Sequence, residues 1–305
     1  VSPGSADPHF VFWLLQYLYD SGHIKKYHTQ HTGVARFQWT TFADNESFDL
    51  PTSDHQHKLV AILSAYDDLI ENNIRRIHIL EQIAHDLYQE WFVHLRFPGH
   101  ESTHKDKLPE GWREGYFTDF VDVLSGGTPS TKNPEFWDGD IPFFSPKDAT
   151  DAPYVIETER NVTNLGLERC NSQLYPQNTV FITARGTVGK VKLPAVDMAM
   201  NQSCYALVGK DDLPQMLVYS LTLQHVGDLV QQATGAVFDT IIIDNFRRLK
   251  VIVPSPKLLN EFVKIVNPIF DQIRNLQLRN RALKRTRDLL LPRLISGELD
   301  VSTLS

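Results

Sequence analysis

The stretch Leu59–Trp91, LVAILSAYDDLIENNIRRIHILEQIAHDLYQEW, decides the fold, because its apolar residues return at a spacing close to seven along its whole length. One row is Leu59, Tyr66, Asn73, Leu80 and Leu87, and the next is Ile62, Leu69, Arg76 and Ile83. Leu63, Ile70, Ile77, Ala84 and Trp91 widen the stripe. A second stretch, Leu259–Leu294, repeats the pattern with Leu259, Val266, Ile273, Asn280, Arg287 and Leu294 beside Phe262, Ile269, Leu276, Leu283 and Leu290. The spacing predicts two helices of roughly 40 residues, on the order of 60 Å each at 1.5 Å per residue, pairing antiparallel as a coiled coil. Each helix holds one asparagine in an apolar row, so Asn73 and Asn280 are expected to fix the pairing. Thr52-Ser53-Asp54 and Ser255-Pro256 provide the starts. Pro268 is expected to kink the second helix or remove one hydrogen bond, and Pro292 to end or bend it near Ser296-Gly297.

The helices belong to an internal repeat with an offset of about 203 positions. Thr32-Gly33, Phe42 and Leu50-Pro51 precede the first helix, and Thr234-Gly235, Phe246 and Val253-Pro254 precede the second. Two copies cannot share a solenoid core, so a pseudo-twofold arrangement is the expectation. Between the helices, His100 to Lys107 reads as a polar linker. Residues 112–210 are then dense in Gly, Pro, Asn, Thr and Asp around short β-like runs, Asn178–Ala184, Val188–Leu193 and Ser203–Val208. Leu213–Gln232 reads as one or two helices, and Thr240–Ile243 and Leu249–Val253 as strands. The expected fold is α+β: mixed globular lobes separated by two long antiparallel helices. Its expected divisions are 1–50 (the last part of a first lobe), 51–107 (first long helix and linker), 108–253 (a second lobe) and 254–305 (second long helix and tail). A complete repeat would place about 95 further residues before Val1, so another copy could also complete the first lobe.

Composition narrows the function classes. With 42% apolar residues in 305, the chain can bury cores for about two domains. No run of eighteen apolar residues suggests a membrane span. Two cysteines, Cys170 and Cys204, suit a reducing, cytoplasmic setting and are too few for a thiolate metal site. The net charge of −7 argues against a nucleic-acid partner on average, yet the balance is uneven. Residues 1–107 carry 9 basic and 14 acidic side chains, 108–250 carry 12 and 18, and 251–305 carry 9 and 5, giving −5, −6 and +4. Local patches for DNA therefore remain.

Six segments together resemble one family. They are Tyr66–Asn73 (YDDLIENN), Leu87–Val93 (LYQEWFV) leading to Arg96-Phe97-Pro98-Gly99, Leu108–Trp112 (LPEGW), Gly126–Ser130 (GGTPS), Trp137–Pro142 (WDGDIP) and Leu291–Gly297 (LPRLISG). In this order they resemble the specificity subunit of Type I restriction-modification systems. The resemblance implies two target recognition domains that read the halves of a bipartite double-stranded DNA sequence. It also implies methyltransferase subunits that dock on the chain and methylate adenine N6, and restriction (motor-nuclease) subunits that join for cleavage. S-adenosylmethionine, ATP and Mg are expected on those partners, with no cofactor, metal or catalysis in this chain and no membrane partner.

The residues agree with that negative. Gly186–Lys190 lacks a phosphate loop's first glycine, since position 184 is Ala, and its magnesium-binding hydroxyl, since position 191 is Val. Asn267-Pro268-Ile269-Phe270 has one proline too few for an adenine-methyltransferase motif and lies on the apolar stripe, and His55 and His57 lack a metal-ligand arrangement. Phosphate and guanine call for Arg or Lys, adenine for Asn or Gln, and close backbone approach for small residues. Three segments meet those needs: Thr128, Ser130 and Lys132 after two glycines; Lys147 in a polar loop; and Arg185 to Lys190 with the following Asn201 and Gln202. The first lobe offers Lys25, Lys26, His28, Gln30, Thr32, Arg36 and Gln38. The rival reading is a coiled-coil scaffold with protein-binding lobes, which the acidic balance favours.

Overall fold

Asp7 begins the first ordered element: its carboxylate accepts from the backbone N–H of His9 (2.7 Å) and Phe10 (3.1 Å), with Pro8 in the first turn. The computed structural model describes residues 6–31, 34–100, 108–233 and 239–301, and divides the chain into two compact units. One unit holds residues up to Arg75 together with those from Arg279, and the other spans Arg76–Leu278. Thr32-Gly33, Thr234-Gly235 and most of the expected linker, residues 101–107, lie outside the described residues, as does the side chain of Gln30.

In the first unit α1 (Pro8–Asp20) leads through a 3-10 turn to the hairpin of β1 (His28–His31) and β2 (Val34–Phe37), then to α2 (Trp39–Asn45) and α3 (Ser53–Tyr88). Leu18, Tyr27 and Phe42 form a small core there. Glu46 ties it from outside, accepting from Tyr27 Oη at 2.5 Å, lying 2.6 Å from Lys26 Nζ and meeting His23 at 3.0 Å. Thr52 Oγ1 accepts from His55 N at the start of α3. Leu59 and Leu63 of α3 share a core with Phe10 and Trp13 of α1 and with Leu291 and Leu294 of the last long helix. Asn73 Nδ2 donates to Asn280 Oδ1 at 2.7 Å, Asn280 Nδ2 donates to Ile70 O at 3.3 Å, and Arg287 pairs with Asp67. Partner numbers rise on one helix as they fall on the other, so the pair is antiparallel.

The buried stripe of α3 differs from the expected one. Leu59, Leu63, Ile70, Asn73, Ile77, Ala84 and Trp91 are buried, whereas Leu69 and Ile83 are 53% and 48% exposed. Steps alternating between four and three residues keep the first row and the widening residues on the partner side. Of the other row, Leu69, Arg76 and Ile83 are therefore turned to the exposed side, and only Ile62 still packs against the shared core.

The second unit adds β3 (Arg113–Tyr116), α4 (Phe117–Phe120), β4 (Val121–Ser125), β5 (Trp137–Phe144), β6 (Tyr154–Val155), β7 (Asn161–Val162) and α5 (Asn164–Glu168). It continues with β8 (Val180–Thr183), β9 (Val191–Pro194), β10 (Ala199–Met200), β11 (Cys204–Gly209), α6 (Gln215–Ala233), α7 (Ile243–Arg248), β12 (Lys250–Val253) and α8 (Pro256–Ile295). A five-stranded sheet runs β4-β11-β8-β9-β6, a three-stranded one β10-β5-β7, and β12 pairs with β3. All four residues of β8 are buried, as a short apolar run covered on both faces requires. The buried core of this unit joins Val180 and Ile182 of β8 to Met216, Leu217 and Leu221 of α6 and to Phe262, Val266 and Ile273 of α8. Gln277 of α8 donates to Tyr154 O (3.0 Å) and accepts from Tyr154 N (3.1 Å), satisfying both backbone groups of a buried strand residue.

One expectation is corrected here. Thr240–Ile243 is not a strand, because Asn245 Oδ1 accepts from Ile242 N at 2.7 Å and starts α7 instead. α8 ends beside Ser296-Gly297 as expected, running on from Pro292 to Ile295 with Leu291 and Leu294 buried in its last turns and Gly297 in the left-handed region (φ 76). Helical structure likewise continues through Pro268. None of the helices among the described residues is long and apolar enough to cross a membrane.

Candidate nucleic-acid interface

Gly126 and Gly127 explain why loops far apart in sequence meet in the second unit. Their N–H groups donate to Cys204 O (3.3 Å) and Met200 O (3.2 Å). A Cβ on Gly126 would lie 2.1 Å from Asn201 O, and one on Gly127 would lie 2.6 Å from Asn171 N. Only glycine allows that approach. The loop is thereby pressed on the 201–203 turn, and Thr128 Oγ1 bonds Gln202 Oε1 across a separation of 74 positions.

The same turn reaches the other candidates. Asn201 N donates to Phe144 O at 2.8 Å, setting it against the end of β5 where the Ser145 turn begins. That turn is fastened by Asp148, which accepts from Ser145 N (2.8 Å), Ser145 Oγ (2.7 Å) and Glu159 N (2.7 Å) and so presents Lys147. On the other side Ser203 O accepts from Ala184 N (2.7 Å) and Arg185 N (3.3 Å). The turn after Arg185 folds around Thr183, whose hydroxyl bonds Thr187 O and accepts from Lys190 N at 2.9 Å. Gly186 and Gly189 supply its positive φ angles, 79° and 84°. A Cβ on Gly186 would meet Pro146 at 3.8 Å, so the Arg185 and Lys147 turns are neighbours. Ser130 joins from below, its carbonyl accepting from Trp137 Nε1 at 3.1 Å.

The cations on this surface differ in what already holds them. Lys190 bonds Asp151 at 3.1 Å and keeps that carboxyl below its usual range, and Lys147 lies 3.5 Å from Glu159. Arg185 and Lys132 are exposed and make no ion pair among the described residues. Lys192 is different again: it is buried, donates to Ala152 O at 2.9 Å, and burial lowers its pKa to about 8.

The first-lobe candidates sit on and beside the β1–β2 hairpin. Lys26 is held by Glu46, whose three partners, Lys26 foremost, lower its pKa to about 2. Lys25, Arg36 and Gln38 are exposed, His28 is half-buried with its ring edge-on to Phe37 at 5.7 Å, and Thr32 lies outside the described residues. The sequence reading missed Arg160. Its guanidinium lies 3.3 Å from the centre of the Trp137 ring, and no local pattern marks it because its platform is a separate strand.

The second unit thus gathers glycines, amides and cations on neighbouring sheet-borne loops that share a core with a long helix. The chain belongs to the family described as "Type I restriction modification DNA specificity domain", which it matches over residues 109–285. It is 27% identical to the Type I restriction enzyme MjaIX specificity subunit of Methanocaldococcus jannaschii over 95% of this chain and 69% of that protein. It is 23% identical to the HindI specificity subunit of Haemophilus influenzae over 96% of this chain and 77% of that one. The crystal structure of a Type I restriction-modification S subunit from M. genitalium shares the fold, with a TM-score of 0.61 and 16% identity, covering 96% of this chain and 74% of that one.

Proposed function

We propose that this chain is the DNA-recognition subunit of a Type I restriction-modification enzyme. The lobe at 108–253 reads one half of a bipartite duplex target, and residues 1–50 belong to the lobe that reads the other. The convergence of the Gly126, Lys147, Arg185 and Asn201 loops carries this reading, because it combines close backbone approach with Arg for guanine or phosphate and amides for adenine. Methylation and cleavage belong to the methyltransferase and motor-nuclease subunits, which bring S-adenosylmethionine, ATP and Mg. The long helices are their dock: α3 exposes Leu69 in the first unit and Ile79 and Ile83 in the second, and α8 exposes Arg279, Lys284 and Arg285.

A binding isotherm on duplex DNA at 50 and 200 mM salt tests the reading. Phosphate contacts predict a fall of at least about tenfold in affinity, since each neutralised phosphate steepens the salt dependence. Binding that ignores salt, or no binding, would favour the protein-scaffold alternative.

A further inference from the structure

Arg160 packs on a platform that other elements build. Its carbonyl accepts from Phe143 N (3.0 Å) and Thr158 Oγ1 (2.8 Å), which fastens the backbone just before β7. The indole beneath is equally fixed: Trp137 is buried, donates Nε1–H to Ser130 O at 3.1 Å and meets Phe143 edge-on at 5.4 Å. The guanidinium carbon lies 3.3 Å from the centre of that ring, yet the residue is exposed and makes no ion pair among the described residues. Neighbouring Glu159 is turned to Lys147 instead.

A guanidinium held this close to an indole face keeps its charge, loses much of its rotational freedom and retains N–H donors at the exposed surface. The hydrogen bond from Trp137 to Ser130 places it beside the loop that carries Thr128 and Lys132. We infer that Arg160 is a DNA-contacting residue whose N–H fork takes two acceptors of the duplex at once. The acceptors are O6 and N7 of a guanine or two oxygens of a phosphate, which share that bidentate geometry. The inference rests on the DNA-recognition reading and deepens it, because Trp137 becomes a positioning residue and the surface extends from the Arg185 turn to β7.

The experiment is selection from a randomised duplex library by the full-length chain, followed by isotherms at two salt concentrations, for wild type, Arg160→Ala, Arg160→Lys and Arg160→Gln. Arg160→Ala is expected to lose at least about tenfold in affinity. Arg160→Lys should recover only part of this, because an ammonium is a point charge without the fork. Arg160→Gln keeps a planar group on the indole without charge and guards against a folding defect in the alanine variant. Lost preference at one G·C pair identifies the guanine source; a loss uniform over sequences, with a salt slope lower by about one, identifies the phosphate. Affinity within twofold of wild type for both Ala and Gln, or full rescue by Lys, overturns the inference. If wild type selects a sequence and Arg160→Ala selects it equally well, only Arg160 is mistaken; if wild type selects none and ignores salt, the recognition reading itself fails.

Discussion

A surface cation draws phosphate only to the extent that no carboxylate already holds it, and this separates Arg185 from Lys190. Lys190 shares its charge with Asp151 at 3.1 Å, whereas Arg185 has no such partner among the described residues. Arg185→Ala should therefore weaken duplex binding about tenfold, or about 1.4 kcal/mol, with helical content unchanged. Asp151→Asn should tighten binding severalfold by releasing Lys190. Isotherms unchanged in both variants would place that turn outside the interface. Glu46 offers a pH test in the first unit. Its folded pKa of about 2 lies below the ordinary 4.5, so its contribution to stability is present above about pH 4.5 and fades as pH falls toward 2. Near-ultraviolet circular dichroism of the Tyr27–Phe42 cluster should show a transition in that window that Glu46→Gln lacks. Residue types suited to DNA could be read from sequence, because chemistry dictates them; which loops would meet could not. Thr128 and Gln202 are joined only through the close approach that two glycines permit, and Arg160 acquires its platform only in three dimensions.

Among the elements, the long helices were the most legible and their faces the least. The seven-residue return announces a helix whichever side is buried, but Leu69, Ile79 and Ile83 are apolar and exposed, so hydrophobicity alone could not tell the partner face from the outer one. Thr240–Ile243 misled for the opposite reason, since its β-branched run is overruled by one side chain, Asn245, that starts a helix. The asparagines stand out in sequence as polar members of apolar rows, and in the structure their amides meet at 2.7 Å. Replacing Asn73 alone with Leu leaves the buried amide oxygen of Asn280 without its donor and should cost about 1–3 kcal/mol in urea unfolding. Replacing both with Leu should return stability to near wild type while loosening the register, visible as slower and more heterogeneous assembly with the methyltransferase. A purely additive double mutant would show that the two amides do not act together.

For the whole molecule, we propose that the paired helices set the distance between the two half-sites, which predicts a ruler. Seven residues inserted after Arg75 in α3 and after Leu278 in α8 keep both apolar rows in phase and leave each compact unit intact. Each helix lengthens by roughly 10 Å. The unread spacer in the DNA target should then lengthen by about three base pairs at 3.4 Å each, with unchanged half-sites. Methylation by the reconstituted complex on a library of randomised spacers measures this, and an unchanged optimum in a folded, active insert removes the ruler. A quieter feature of the fold bears on how such a protein changes over generations. β3 and β12 lie side by side, Arg113 opposite Val253 and Tyr116 opposite Lys250, so the second lobe departs from the helical stem and returns to it at a single place. The chain between them leaves and rejoins the helices at that one place, and its core also packs along α8 through Val180, Ile182, Phe262, Val266 and Ile273. One contiguous block of coding sequence exchanged there keeps the register of the helices as long as the new block retains apolar residues to meet Phe262, Val266 and Ile273. On the proposed DNA-recognition reading, one recombination event that keeps those contacts brings a new target, with both ends of the graft already aligned by the same short ladder of hydrogen bonds.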